Sequence, residues 1–119
     1  TFQVYVALLM LRWIKAEGGL DEIQLRSIAK SALLYAEIDR NPLFEGIAVK
    51  EDRSVLNACF RAINPEIESQ FLAHCSKNNV VGIKGFPTVG GFRASMYNGM
   101  DIESIELLVD LMKNFKPEL

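Results

Sequence analysis

From Val4 to Leu11 the chain runs through eight consecutive apolar residues, and Arg12 closes the run. Such a stretch reads as a helix apolar on nearly all its sides, which must be covered on nearly all its sides. A domain of 119 residues rarely surrounds its first helix completely. The chain also opens on Thr1 rather than Met. Together these features give the expectation that this is a piece of a longer protein whose remaining part covers the helix. The composition is that of a single globular domain over residues 1–119, half apolar and about a quarter charged. A formal net charge of −2 lacks the basic excess of a nucleic-acid module. No apolar run approaches the roughly 18 residues of a membrane-spanning helix, and no charged leader precedes a small-residue cleavage site. Cys59 and Cys75 have no metal-ligand companions; both are expected as reduced core residues of a cytoplasmic protein.

The first helix is expected from about Gln3 to Glu17, stopped by Gly18-Gly19. A second follows from Leu20 to Arg40, with Ile23, Ile28, Leu33, Leu34 and Ile38 as its apolar stripe, and Asn41-Pro42 ends it. Leu43 to Lys50 is a connector or short strand, and Ser54 to Phe60 a strand. Asn64-Pro65-Glu66 starts a helix, with a capping side chain, a proline in the first turn and an early acid. It carries Ile67, Phe71, Leu72 and Cys75 and frays at Asn78-Asn79. Val80, Val81 and Ile83 form a short strand, Gly85 to Gly90 a turn, and Phe92 to Tyr97 another strand. Asp101 caps a last helix with Ile102, Ile105, Val109, Met112 and Phe115 at helical spacing, limited by Pro117. The order predicts an α+β fold, a small mostly antiparallel sheet covered by helices.

The segment richest in chemistry is Gly82 to Asn98. Its glycines invite a phosphate-loop reading, which fails because Gly90 is followed by Gly91-Phe92 instead of Lys and then Ser or Thr. A glycine-rich hairpin explains them as well. Arg93 stands in a strand among apolar or small neighbours. There it either lies on the solvent face or points into a cleft to clasp a carboxylate with its two-pronged guanidinium. Lys84, Ser95, Tyr97 and Asn98 could line the same cleft. His74, the one histidine, has no second histidine and no carboxylate four residues away, which makes it a poor metal ligand or base. Asp39-Arg40 and Asp52-Arg53-Ser54 read as charged surface turns. No self-contained catalytic set emerges.

With these residues in view, the chain resembles the C-terminal small domain of the phosphoserine aminotransferases. The resemblance runs through Thr1-Phe2 with Tyr5, Leu11 to Trp13, Gly18-Gly19, Leu34-Tyr35, Ile38-Asp39, Arg53-Ser54, Asn57 and Phe60. It continues through Gly82 to Gly85 and, most specifically, Val89 to Asn98. It implies a homodimeric transaminase of aminotransferase fold type I that uses pyridoxal 5'-phosphate (PLP). The reaction, in serine biosynthesis, takes 3-phosphohydroxypyruvate and glutamate to phosphoserine and 2-oxoglutarate. The partners are then small amino acids and 2-oxo acids, with no metal, nucleic acid or membrane.

The family's Schiff-base lysine lies in a large domain ahead of this one, and no lysine here matches its context. The Asn-Thr pair that reaches the cofactor phosphate across the dimer stands just before the position of Thr1. No catalytic residue is therefore expected in the chain, and by itself it should be inactive and bind no PLP. Arg93 matches the arginine that grips the substrate α-carboxylate. At Phe86 and Pro87 the family usually has His-Arg, both binding substrate phosphate; Lys84 and Thr88 are the nearest substitutes. Two alternatives follow: a related transaminase for an unphosphorylated amino acid, or a non-enzymatic α+β ligand-binding or interaction module.

Overall fold

The computed structural model describes residues 1–118. Two helices lead, α1 (Phe2–Ala16) and α2 (Leu20–Arg40). Strand β1 (Phe44–Gly46), a 3-10 turn (Lys50–Asp52) and strand β2 (Asn57–Ala62) follow. Helix α3 (Pro65–Lys77), strand β3 (Phe92–Ser95) and helix α4 (Ile102–Asn114) complete the chain. The sheet has the order β1-β2-β3 and both pairings are antiparallel. The α+β expectation holds. The caps act as the sequence implies: Asn64 accepts from Ile67 N–H at 2.9 Å and Asp101 from Ser104 N–H at 3.0 Å.

Three expectations about the elements are corrected. The strand expected over Ser54–Phe60 is Asn57–Ala62, because Ser54 Oγ accepts from Leu56 and Asn57 N–H and makes a local turn. Val80, Val81 and Ile83 form no strand: the chain bends at Gly82, Val81 faces solvent, and only Lys84 bridges Phe92. On α2, Ile28 is exposed, and the buried stripe runs instead through Ile23, Ser27, Lys30, Leu34 and Ile38.

One face of the sheet holds the core. Phe44, Ala58, Phe60, Ala62, Phe92 and Ala94 are buried against side chains of α2, α3 and α4. Phe44, Phe60, Phe71 and Phe92 pack ring to ring at centroid separations of 4.9–6.1 Å. Aromatic burial of this kind is worth about 1.5–3 kcal/mol per ring, with a further increment for edge-to-face contacts. Asn41 Nδ2 ties the end of α2 to α4 by donating to Met112 O at 3.0 Å.

Helix α1 stands apart. None of its residues is buried; Trp13 and Ile14 are half-buried beside α2, and Phe2, Val4, Tyr5 and Leu11 are exposed. The elbow between the two helices is held by Arg26, which donates to Glu17 and Glu22.

A second anchor corrects the surface-turn expectation. Arg53 donates to both carboxylate oxygens of Asp39 at 2.7 and 2.9 Å, and its guanidinium carbon lies 4.6 Å from the centre of the Tyr35 ring. Tyr35 Oη donates to Ser54 O at 2.9 Å. Asp39 and Tyr35 belong to α2, so this clasp fixes the loop before β2 onto that helix. It also requires Gly46 in β1, where a Cβ would stand 2.7 Å from Arg53 Nη2.

Hydrogen bonds from Arg53 hold the Asp39 carboxyl below its ordinary range, against a smaller opposing effect of burial. The unfolded chain then binds the proton more readily, so this stabilisation is complete above the ordinary carboxylate range and fades as pH falls through the folded-state value. Asp39→Asn should lower the melting temperature at pH 7 and make its fall below about pH 4 shallower than in the unmodified chain. Thermal melts between pH 2.5 and 7 check this; parallel acid limbs for the two proteins would contradict it.

Candidate functional site

Side chains alternate across a strand, so burial of one set fixes the direction of the other. With Phe92 and Ala94 in the core, Arg93 and Ser95 point to the uncovered face of the sheet, joined there by Asn57 and Cys59 from β2. Arg93 is the cross-strand partner of Cys59, and Ser95 that of Asn57. Ser95 Oγ donates to Asn57 Oδ1 at 3.1 Å. Cys59 is thus a half-buried residue of the open face, not a core residue as expected, because β2 turns it away from Ala58 and Phe60. Cys75 is a core residue, and burial pushes its thiol up to about 11.

The turn before β3 is drawn shut by its backbone. Gly85 N–H donates to Gly91 O at 2.8 Å, while Val89 and Gly90 N–H both donate to Phe86 O. At Gly91, φ is 65° and a Cβ would meet Phe60 O at 2.6 Å, so only glycine lets the turn leave this close to β2. The turn brings Phe86 onto Arg93: the guanidinium carbon lies 4.5 Å from the ring centre. A hollow of about 400 Å³ opens beside them, lined by Arg93, Ser95, Val81, Ile83 and residues of α4. Lys84, Pro87 and Thr88 are exposed on the turn and do not line it, nor do Tyr97 and Asn98.

Arg93 differs from the other arginines in how its charge is used. Arg26, Arg40, Arg53 and Arg61 each pair with a carboxylate of the same chain. Arg12 is exposed on α1. Arg93 is half-buried and, among the described residues, has no carboxylate within ion-pair distance. A guanidinium kept in a concave surface with its fork uncommitted can receive a planar anion in two parallel hydrogen bonds.

The loop after β3 is fixed by a residue that the sequence analysis did not single out. Lys30 of α2 is buried, and its Nζ donates to Met96 O, Tyr97 O and Met100 O at 3.3, 2.9 and 2.8 Å. Burial lowers its pKa, and the Asp101 charge opposes that shift. The available signal was its place on the buried stripe, where a lysine must find acceptors inside the fold. His74 lies at the core margin between Phe71 and Phe115, at ring separations of 6.3 and 5.4 Å. Among the described residues, no three His, Cys, Asp or Glu side chains gather as a metal site.

Fold and site together define an α+β domain that holds a half-buried arginine, its fork uncommitted, on the open face of its sheet. No protein-family model matches the chain. It is 52% identical over 116 residues to a phosphoserine aminotransferase of Bacteroides thetaiotaomicron, a match covering 95% of this chain and 32% of the relative. A phosphoserine aminotransferase structure from Bacillus circulans subsp. alkalophilus superposes with a TM-score of 0.90 at 36% identity, over 94% of this chain and 31% of that one. A PLP-bound phosphoserine aminotransferase from Trichomonas vaginalis gives 0.88 at 32%, over 96% and 33%. The chain is homologous to the phosphoserine aminotransferases and spans about a third of the length of the relatives it matches.

Lys30→Met removes the donor to three carbonyls and should destabilise the fold by about 2 kcal/mol or more. It should also speed amide exchange in residues 96–100. Urea unfolding and hydrogen exchange measure both. A change below about 0.5 kcal/mol, the scale of an ordinary surface substitution, would remove Lys30 from this role.

Proposed function

We propose that residues 1–119 are the C-terminal small domain of a PLP-dependent phosphoserine transaminase, a homodimer of the cytoplasm. It would exchange the amino group between glutamate and 3-phosphohydroxypyruvate, giving 2-oxoglutarate and phosphoserine. The identity to phosphoserine aminotransferases over nearly the whole chain supports this reading, as do two free cysteines for the compartment. The exposed apolar surface of α1 supports a covering domain outside this chain. The observation that carries the site assignment is the uncommitted, half-buried guanidinium of Arg93 on the open face of the sheet.

On the proposed reading the PLP site lies outside this chain. The cofactor needs an amine to join its aldehyde and clustered donors for its phosphate. Lys30, the buried lysine, donates hydrogen bonds to three carbonyls, and the turn amides of Val89 and Gly90 are spent on Phe86 O. In this reading the cofactor, which a homologous phosphoserine aminotransferase binds, is held by the remainder of the enzyme. The part played here is orientation. Arg93 would take both oxygens of the α-carboxylate common to every substrate of the reaction, which fixes the plane and reach of the amino or oxo carbon next to it.

The substitution of Phe86-Pro87 for the usual His-Arg leaves the turn without side-chain donors to phosphate at these two positions. Phosphate recognition then falls to donors elsewhere in the enzyme. Restoring both residues, as Phe86→His with Pro87→Arg, should lower KM for the phosphorylated substrates relative to that for glutamate. If the double variant instead impairs the natural reaction, and the unmodified enzyme prefers an unphosphorylated amino acid tenfold or more in kcat/KM, the substrate assignment fails.

Arg93→Lys in the full-length enzyme keeps the charge and loses the planar fork. It should reduce kcat/KM by roughly a hundredfold with the melting temperature preserved. Near-normal turnover would return Arg93 to an ordinary surface position.

A further inference from the structure

We infer that Phe86 is a positioning residue: its ring backs the guanidinium of Arg93 and thereby sets how tightly a substrate carboxylate is held. The inference rests on the reading of Arg93 as the carboxylate receptor. Phe86 itself is exposed, so it contributes little to the core. Its location is set by the closed turn. The carbonyl of Phe86 takes two amide donors, and the neck at Gly85 is so narrow that a Cβ there would stand 2.3 Å from Gly90 O. Arg93 follows two residues after Gly91, as the second residue of β3. The ring therefore has a short, rigid connection to the group it covers.

The same device is already used once in this chain, at Arg53. There an aromatic ring, Tyr35, lies 4.6 Å from the guanidinium carbon, and both carboxylate oxygens of Asp39 fill the fork. At Arg93 the ring distance is 4.5 Å, and no carboxylate of the described residues reaches the fork. An aromatic face attracts the cation and leaves its in-plane N–H groups free. A flexible side chain already held against a ring loses less freedom when an anion arrives. Arg53 is thus a closed clamp within the fold, and Arg93 the matching open one for a carboxylate supplied from outside.

This arrangement acts on binding and on every substrate alike, because amino and oxo acids share the α-carboxylate. In the full-length enzyme, Phe86→Leu should raise KM for both the amino donor and the oxo acceptor by about two- to fivefold. kcat should stay within about twofold, and Phe86→Trp should restore the original KM values. Arg93→Lys is measured alongside. Unchanged KM values in Phe86→Leu, with kcat/KM strongly reduced in Arg93→Lys, would overturn the positioning role. So would a rise confined to one substrate, which places Phe86 against that substrate's tail, or a failure of Trp to rescue. An active Arg93→Lys enzyme would instead overturn the receptor reading itself, and the inference with it.

Discussion

The antiparallel pairing of β2 with β3 is the constraint on which the rest of the structure depends. Phe60 lies opposite Phe92, with ring centroids 5.0 Å apart, and Ala58 lies opposite Ala94. These four residues are buried, so the residues between them must face the other way. Arg93 is carried to the open face by the same register that builds the core. A slip of one residue would bury the guanidinium and expose Phe92, a loss on both counts. Two contacts hold the register from either end. Gly91 packs against Phe60 O before the strand, and Lys30 gathers the carbonyls that follow it.

Much of the fold was legible because its signals are local. Asn64-Pro65 and Asp101 mark helix starts by chemistry within one turn, and the structure places α3 and α4 there. The bounds of α2 agree for the same reason, with glycines before it and Asn41-Pro42 after. Strands are less local. Nothing in Ser54-Val55-Leu56 announces that the Ser54 hydroxyl diverts the chain into a turn, so the strand starts three residues later than expected. Val80 to Ile83 has strand-like composition, yet its bend at Gly82 keeps it out of the sheet, and the bridge to Phe92 comes only at Lys84.

The site was legible in part. Alternation about Phe92 and Ala94 was enough to separate Arg93 from its neighbours, but whether its fork was already taken could only be read from the other carboxylates in space. Long-range polar contacts were the main omission. Lys30 reaches acceptors 66 to 70 positions away, and Arg53 reaches back 14 positions to Asp39. The sequence names the partner in neither case. The contact of Phe86 with Arg93 lies close in sequence, but it depends on a turn that closes only because Gly85 and Gly91 let its two ends meet.

On the proposed reading, the chain supplies the end of the site that holds a carboxylate, and the cofactor chemistry belongs to the remainder of the enzyme. The most direct test is a crystal structure of the full-length protein with a bound amino acid or 2-oxo acid. Both α-carboxylate oxygens should then lie on the Arg93 guanidinium at about 2.7–2.9 Å, with the Phe86 ring still on its face. A carboxylate bound by other residues, with Arg93 turned to solvent or paired with a protein carboxylate, would contradict this division of labour.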